Sequence, residues 1–171
     1  MSDSATQPPQ KMGITQPVKL NADHDCTAFD CGDTTLNAYL ADAYKQQQRK
    51  NATVYVTCQA GTHRVKGFYT LTSAEIMREA APGKLKRGGA PKTIPVIKLG
   101  RFGMDRSFQG LGYGSDLLVD AVERCISASE TIAAKAIIVN ALDEQAREFY
   151  LKHGFKDVPA IDNLTLYLSL Y

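Results

Sequence analysis

The feature that most constrains this chain is a run of alternating glycines, Gln109-Gly110-Leu111-Gly112-Tyr113-Gly114, between an apolar extended stretch and an amphipathic helix. Glycines there permit a tight turn and leave backbone N–H groups exposed at a helix N-terminus, where the dipole favours an anion. The residues alone support two readings: a plain strand-to-helix turn, or a cradle whose natural guest is a pyrophosphate. Two familiar phosphate loops are excluded. A P-loop needs Gly-Lys-Ser or Gly-Lys-Thr, whereas this turn ends Gly114-Ser115-Asp116. The dinucleotide fingerprint needs glycine at the sixth position from Gly110, where Ser115 stands. The roughly 57 residues that follow are also too few for a dinucleotide fold.

The flanking periodicities give the rest of the fold. Ile94 to Met104 reads as a buried strand, in which Gly100 and Gly103 mark a bulge or a closely approached backbone. Leu117, Leu118, Ala121, Val122 and Cys125 form one helical stripe. Earlier, Asp33 or Thr34 caps a helix that runs to about Gln48. Thr53 to Cys58 and Val65 to Thr72 form a hairpin around Gly61-Thr62. Ala80 to Lys92, rich in glycine and proline, reads as a basic loop. Ala136 to Ala141 is a short strand, Glu144 to Lys152 a helix closed by Gly154, and Leu164 to Leu170 a final strand. The order α, β-β, loop, β-α-β-α-β implies an α/β (α+β) fold, a mixed central sheet flanked by helices. One domain is expected over residues 18–171, behind a disordered leader over residues 1–17 in which Met12 is an alternative start to Met1. No apolar run suits a membrane span or a secretory leader.

The formal charge of +2 argues little for a nucleic-acid partner. Its distribution argues more. Between Ala80 and Met104 lie six basic residues and no acidic one, leaving 14 basic against 18 acidic elsewhere. The basic loop is either a solvated surface or a phosphate-binding one.

Gln109-x-x-Gly112-x-Gly114 resembles the acetyl-CoA pyrophosphate loop of the GNAT superfamily of N-acetyltransferases. About 35 residues later, Phe149-Tyr150-x-x-x-Gly154-Phe155 resembles that superfamily's late helix and following strand. Phe29-Asp30-Cys31-Gly32, Gly67-Phe68-Tyr69-Thr70-Leu71 and Leu99-Gly100-Arg101-Phe102-Gly103-Met104-Asp105 extend the likeness to the TacT-like tRNA-acetylating toxins of toxin–antitoxin pairs. The strand departs from that subfamily at Gly100 to Met104, where small aliphatic residues are commoner.

The resemblance implies acetyl-CoA as cofactor. Its arm would meet Phe102, Gly103 and Met104, and its pyrophosphate the amides of Gln109, Gly110, Leu111, Gly112, Tyr113, Gly114 and Ser115. Asn140 either contacts the arm or is a strand-end turn residue. Tyr150 is the candidate general acid, against the alternative of a packed aromatic. No general base is evident: His153 shares Tyr150's helix face, and Glu144 and Glu148 suit a solvated one. An α-amine near pKa ~8 needs a base less than a lysine near ~10.4 does, so an aminoacyl-tRNA acceptor fits. Lys84, Lys86, Arg87, Lys92, Arg101 and Arg49, with Lys50, would meet tRNA phosphates. The subfamily further implies a ribbon-helix-helix antitoxin, operator DNA contacted mainly through it, and a homodimer. Two other readings stay open, a GNAT enzyme for a protein or small-molecule amine and a non-enzymatic CoA-binding module. Cys58 and Cys125 read as core, and His24, Cys26 and Cys31 lack a fourth ligand, so no metal is expected. Reduced thiols without a secretory leader imply the cytoplasm.

Overall fold

The computed structural model describes residues 13–171. Its strands β1 (Val18–Lys19), β2 (Thr53–Cys58), β3 (Val65–Met77), β4 (Thr93–Met104), β5 (Ala136–Asn140), β6 (Lys156–Asp157) and β7 (Thr165–Ser169) form one sheet in the order β1-β2-β3-β4-β5-β7-β6. The β4–β5 pair is parallel and the rest are antiparallel, as a mixed sheet requires. Helices α1 (Thr34–Gln48), α2 (Tyr113–Thr131) and α3 (Glu144–Lys152) pack on it.

Each helix begins and ends for a local reason. The Asp33 carboxylate accepts the Thr35 and Leu36 amides at the start of α1, which buries Leu40 and Ala43 against β2. The Asp143 carboxylate caps α3 through the Ala146 amide at 2.8 Å. At its far end Gly154 takes φ +88°, and two bonds close the helix. The Gly154 N–H donates to Leu151 O at 3.2 Å and the Phe155 N–H to Tyr150 O at 3.1 Å. This is a Schellman motif, and its usual apolar contact is Phe155 on Tyr150, with ring centroids 5.4 Å apart. The pattern Tyr-x-x-x-Gly-Phe therefore fixes one tyrosine at both backbone and ring.

Side chains alternate along β4 until Gly100. Ile97 and Leu99 face α2 and α3, while Ile94 and Val96 face the opposite side. Between Tyr69 and Leu71 of β3, the register shows one extra residue on β4. The Arg101 N–H there donates to Thr70 Oγ1 at 2.9 Å, and a Cβ on Gly100 would come 2.9 Å from the same oxygen. The bulge reverses the alternation. Phe102 and Met104 join the α2–α3 core, and Arg101 and Gly103 turn toward α1.

Three expectations change. Of the leader over residues 1–17, positions 1–12, Met12 included, lie outside the described residues. Positions 13–17 are bonded to the domain: the Thr15 N–H donates to Cys58 O, Thr57 donates to Thr15 O, and Arg124 donates to Pro17 O. The two-residue β1 covers only part of the outer side of β2, and the amides and carbonyls left there take partners from this segment, which composition does not reveal. Strand β3 continues five residues past Thr72 because β4 offers it a partner down to Met77↔Thr93. The basic loop is anchored rather than merely solvated. It contains a short 3-10 turn, Gly83–Lys86, buries Leu85 completely beside Ile94 and Ile138, and receives Lys135 Nζ at the Leu85 and Arg87 carbonyls.

Candidate active site

Strands β4 and β5 pair only from Ile97↔Ile137 to Leu99↔Val139. Beyond that point β4 runs on through its bulge to Met104 and β5 ends at Asn140, so residues 100–104 have no partner on that edge. A cleft of about 910 Å³ occupies the opening. Phe102, Gly103, Met104, Gln109, Gly110, Gly114, Asn140, Phe149 and Tyr150 line it from the α2–α3 side. On the other face, where α1 and the basic loop flank an uncovered strip of sheet, its lining includes Tyr39, Thr70, Thr72, Lys98 and Arg101.

Tyr150 is 5% exposed, its ring packed among Phe102, Phe149 and Phe155. Its hydroxyl has no hydrogen-bond partner among the described residues, and no buried side-chain oxygen or nitrogen there is left unsatisfied. Its remaining exposure is therefore to the cleft. Burial pushes the phenol above its ordinary value, so it holds its proton throughout the neutral range.

The glycine turn has the geometry an anion requires. Gly110 and Gly112 take φ +74° and +86°, and Gly112 starts α2 without a capping side chain. A Cβ on Gly110 would meet nothing within 4 Å, leaving room above the turn. The Gln109 side chain braces the turn. Its Nε2 donates to Cys31 O at 3.0 Å and to Met104 O at 2.8 Å, tying the turn to the end of β4 and to the loop before α1. Asp105 supports the same junction by accepting the Asp30 amide and the Ser107 amide and hydroxyl. Burial works to raise its carboxyl, but these bonds and Lys66 outweigh it and hold it below the usual carboxylate range.

The remaining sequence-derived candidates are placed as follows. Leu111, Gly112, Tyr113 and Ser115 lie in the turn but do not line the cleft; the Tyr113 ring is buried against Phe108. His153 Nε2 is 3.0 Å from Ser115 Oγ and its Nδ1 2.8 Å from Phe149 O, so the ring bridges α3 to the first turn of α2. Asn140 lines the cleft with its Oδ1 3.1 Å from the Thr165 hydroxyl. Among the basic candidates only Arg101 lines it; Arg49 caps α1 beside the lining residues Asn51 and Ala52. Lys84, Lys86, Arg87 and Lys92 are exposed on the loop farther along the same face of the sheet, and Lys86 and Lys92 border a second, shallow groove. Sequence reasoning missed Lys98, Tyr39, Thr70 and Thr72. A lone lysine inside an apolar strand was the available signal.

The family model described as Acetyltransferase (GNAT) domain matches residues 40–162. The chain belongs to that family. Its sheet and three helices are that family's fold. A tRNA-acetylating toxin of Mycobacterium tuberculosis (strain ATCC 25618 / H37Rv) is 39% identical over 159 residues, 92% of this chain and 93% of that protein. Among solved structures, AtaT complexed with acetyl-methionyl-tRNAfMet superposes with TM-score 0.84 at 33% identity, covering 92% of this chain and 95% of the other. A tyrosine-to-phenylalanine mutant of AtaT, bound to the C-terminus of the antitoxin AtaR and acetyl-CoA, gives TM-score 0.77 at 30% identity, covering 92% and 94%. Among the described residues, no helix is long and apolar enough to cross a membrane.

Proposed function

We propose that this protein is a toxin N-acetyltransferase that moves acetyl from acetyl-CoA to the α-amine of an aminoacyl-tRNA, so that the charged tRNA no longer accepts a nascent chain. The observation that carries this reading is the proton-holding hydroxyl of Tyr150, opening into a cleft between an unpaired strand edge and a glycine turn. The cleft suits the cofactor. Its pantetheine arm meets the strand edge from Phe102 to Met104, which has no β5 partner and of which Gln109 holds only the Met104 carbonyl, and its pyrophosphate has the turn from Gly110 to Ser115. When bound, acetyl-CoA supplies an acetyl group activated as a thioester. An amide of Phe102 to Met104 would polarise the carbonyl, and Tyr150 Oη holds the proton that the departing sulfur needs.

One feature of the lining favours the aminoacyl ester over a lysine. Among the described residues it contains no histidine or glutamate, and its two aspartates, Asp33 and Asp143, are both engaged as helix caps. Without a base in the site only the unprotonated acceptor reacts, and at neutral pH that is about a tenth of an α-amine near pKa ~8 but under about 0.1% of a lysine near ~10.4. The named relatives support the same reading, as does the AtaT complex with an antitoxin. With it go a cytoplasmic location, a homodimer, a ribbon-helix-helix antitoxin and operator DNA contacted mainly through that antitoxin. Incubating the protein and labelled acetyl-CoA with charged tRNA, lysine peptides and polyamines tests it. Label is expected on charged tRNA; label only on peptides or polyamines would establish the other GNAT reading.

A further inference from the structure

The strip of sheet between α1 and the basic loop is not used by the chemistry above, although it belongs to the same cleft. Four observations meet there. The Arg101 guanidinium lies 4.7 Å above the centroid of the Tyr39 ring. The Tyr39 ring stacks at 12° to Phe68, centroids 6.3 Å apart, which backs it with a fully buried aromatic. Lys98 and Arg101 line the cleft, and neither side chain has an anionic partner among the described residues. Among the described residues, the acidic side chains of the lining are Asp33 and Asp143, and both are turned to backbone amides. The strip thus presents an aromatic ring capped by an exposed planar cation, beside a second, unneutralised cation.

A flat, π-faced, negatively linked ligand matches this arrangement, and a nucleotide at an unpaired end is such a ligand. Bases splayed from a single strand stack on aromatic rings and on guanidinium planes, while the phosphate seeks a cation. Resting on the aminoacyl-tRNA reading, we infer that Tyr39 and Arg101 form the stacking platform for the 3′-terminal base of the acceptor and that Lys98 meets its phosphate. Arg101 then serves the acceptor through its plane as well as its charge. The bulge makes this geometry, because it turns Arg101 away from the α2–α3 core and onto the α1 face.

The test uses the intact protein and three acceptors carrying whichever amino acid is labelled on charged tRNA: the tRNA, the aminoacyl ester of adenosine, and the methyl ester. The adenosine ester should show a KM about 10- to 100-fold below that of the methyl ester. Arg101→Ala and Tyr39→Leu should erase that difference by raising KM for the adenosine ester to that of the methyl ester. Arg101→Lys keeps the charge but loses the plane, so it should also erase it. Lys98→Met should raise KM for the tRNA alone. Methyl-ester turnover and thermal midpoint separate a local effect from lost folding. Equal KM for the two esters in the parent protein, with tRNA still labelled, overturns the platform and leaves the function standing. Absence of label on tRNA overturns both.

Discussion

Replacing Tyr150 by phenylalanine removes a single oxygen from a ring held by Phe102, Phe149 and Phe155 and by the Schellman closure at Gly154. That oxygen bonds no group among the described residues, so the folded state loses little with it. The melting midpoint should move by only a degree or two, consistent with less than about 0.5 kcal/mol. Turnover should fall much further. A positioned general acid contributes on the order of 10²- to 10⁴-fold, equivalent to about 3–5 kcal/mol at the barrier. Single-turnover acetylation of charged tRNA, at saturating acetyl-CoA, measures this directly. Because burial raises the phenol's pKa, Tyr150 remains the protonated acid up to and beyond its ordinary value near ~10. The parent's rate should therefore climb between pH 6 and 9 as the acceptor amine loses its proton, with no falling limb in that window. A variant retaining a third or more of parental turnover, or a parental rate that declines between pH 8 and 9, would refute the assignment.

Gln109→Ala removes both bonds that tie the turn to Cys31 and Met104, and calorimetry should show acetyl-CoA binding weakened about tenfold with the fold intact. Gly154→Ala forces a side chain into φ +88° at the residue that closes α3, and should cost about 1–2 kcal/mol in urea unfolding. It should lower kcat more than it raises KM, since Tyr150 sits in the same closure. Asp105 has a carboxyl held low in the folded state, so the stability it supplies is complete above the unfolded value near ~3.9 and is lost as pH falls through the folded one. Urea midpoints between pH 6 and 3 should accordingly drop more steeply for the parent than for Asp105→Asn.

Local patterns were legible wherever the chemistry is local. Gly154 after a helical stripe announces a left-handed cap, and Phe155 next to it is the apolar partner such a cap uses. The glycines from Gly110 to Gly114 likewise announce a turn that opens a helix. What stayed hidden depends on residues distant in sequence. That the Ser115 hydroxyl lies 3.0 Å from His153, 38 positions later, is invisible in the loop's own pattern. Nothing near Gln109 in sequence shows that its side-chain amide donates to two carbonyls, one of them 78 positions away. Leu85 lies in a segment whose composition signals solvent, yet Ile94 and Ile138 bury it. Tyr39 and Arg101 are 62 positions apart and carry no shared motif.

The bulge at Gly100–Arg101 explains why so much of the site depends on one strand. In an unbroken strand, residues two apart share a face, so Arg101 would follow Leu99 into the α2–α3 core and Phe102 would follow Lys98 onto the open strip. One inserted residue exchanges them. The apolar ring goes to Tyr150 and the cation goes to Tyr39. Pairing with β5 ends at Leu99, immediately before the insertion, and a bulge bends the strand that carries it. The unpaired edge proposed for the cofactor arm and the cationic face proposed for the acceptor therefore share one origin. A Cβ at position 100 would come 2.9 Å from the Thr70 hydroxyl that receives the Arg101 amide, so a larger residue there must displace that hydroxyl. The glycine turn suits an anion, but the bulge in the preceding strand determines which face each reactant would approach.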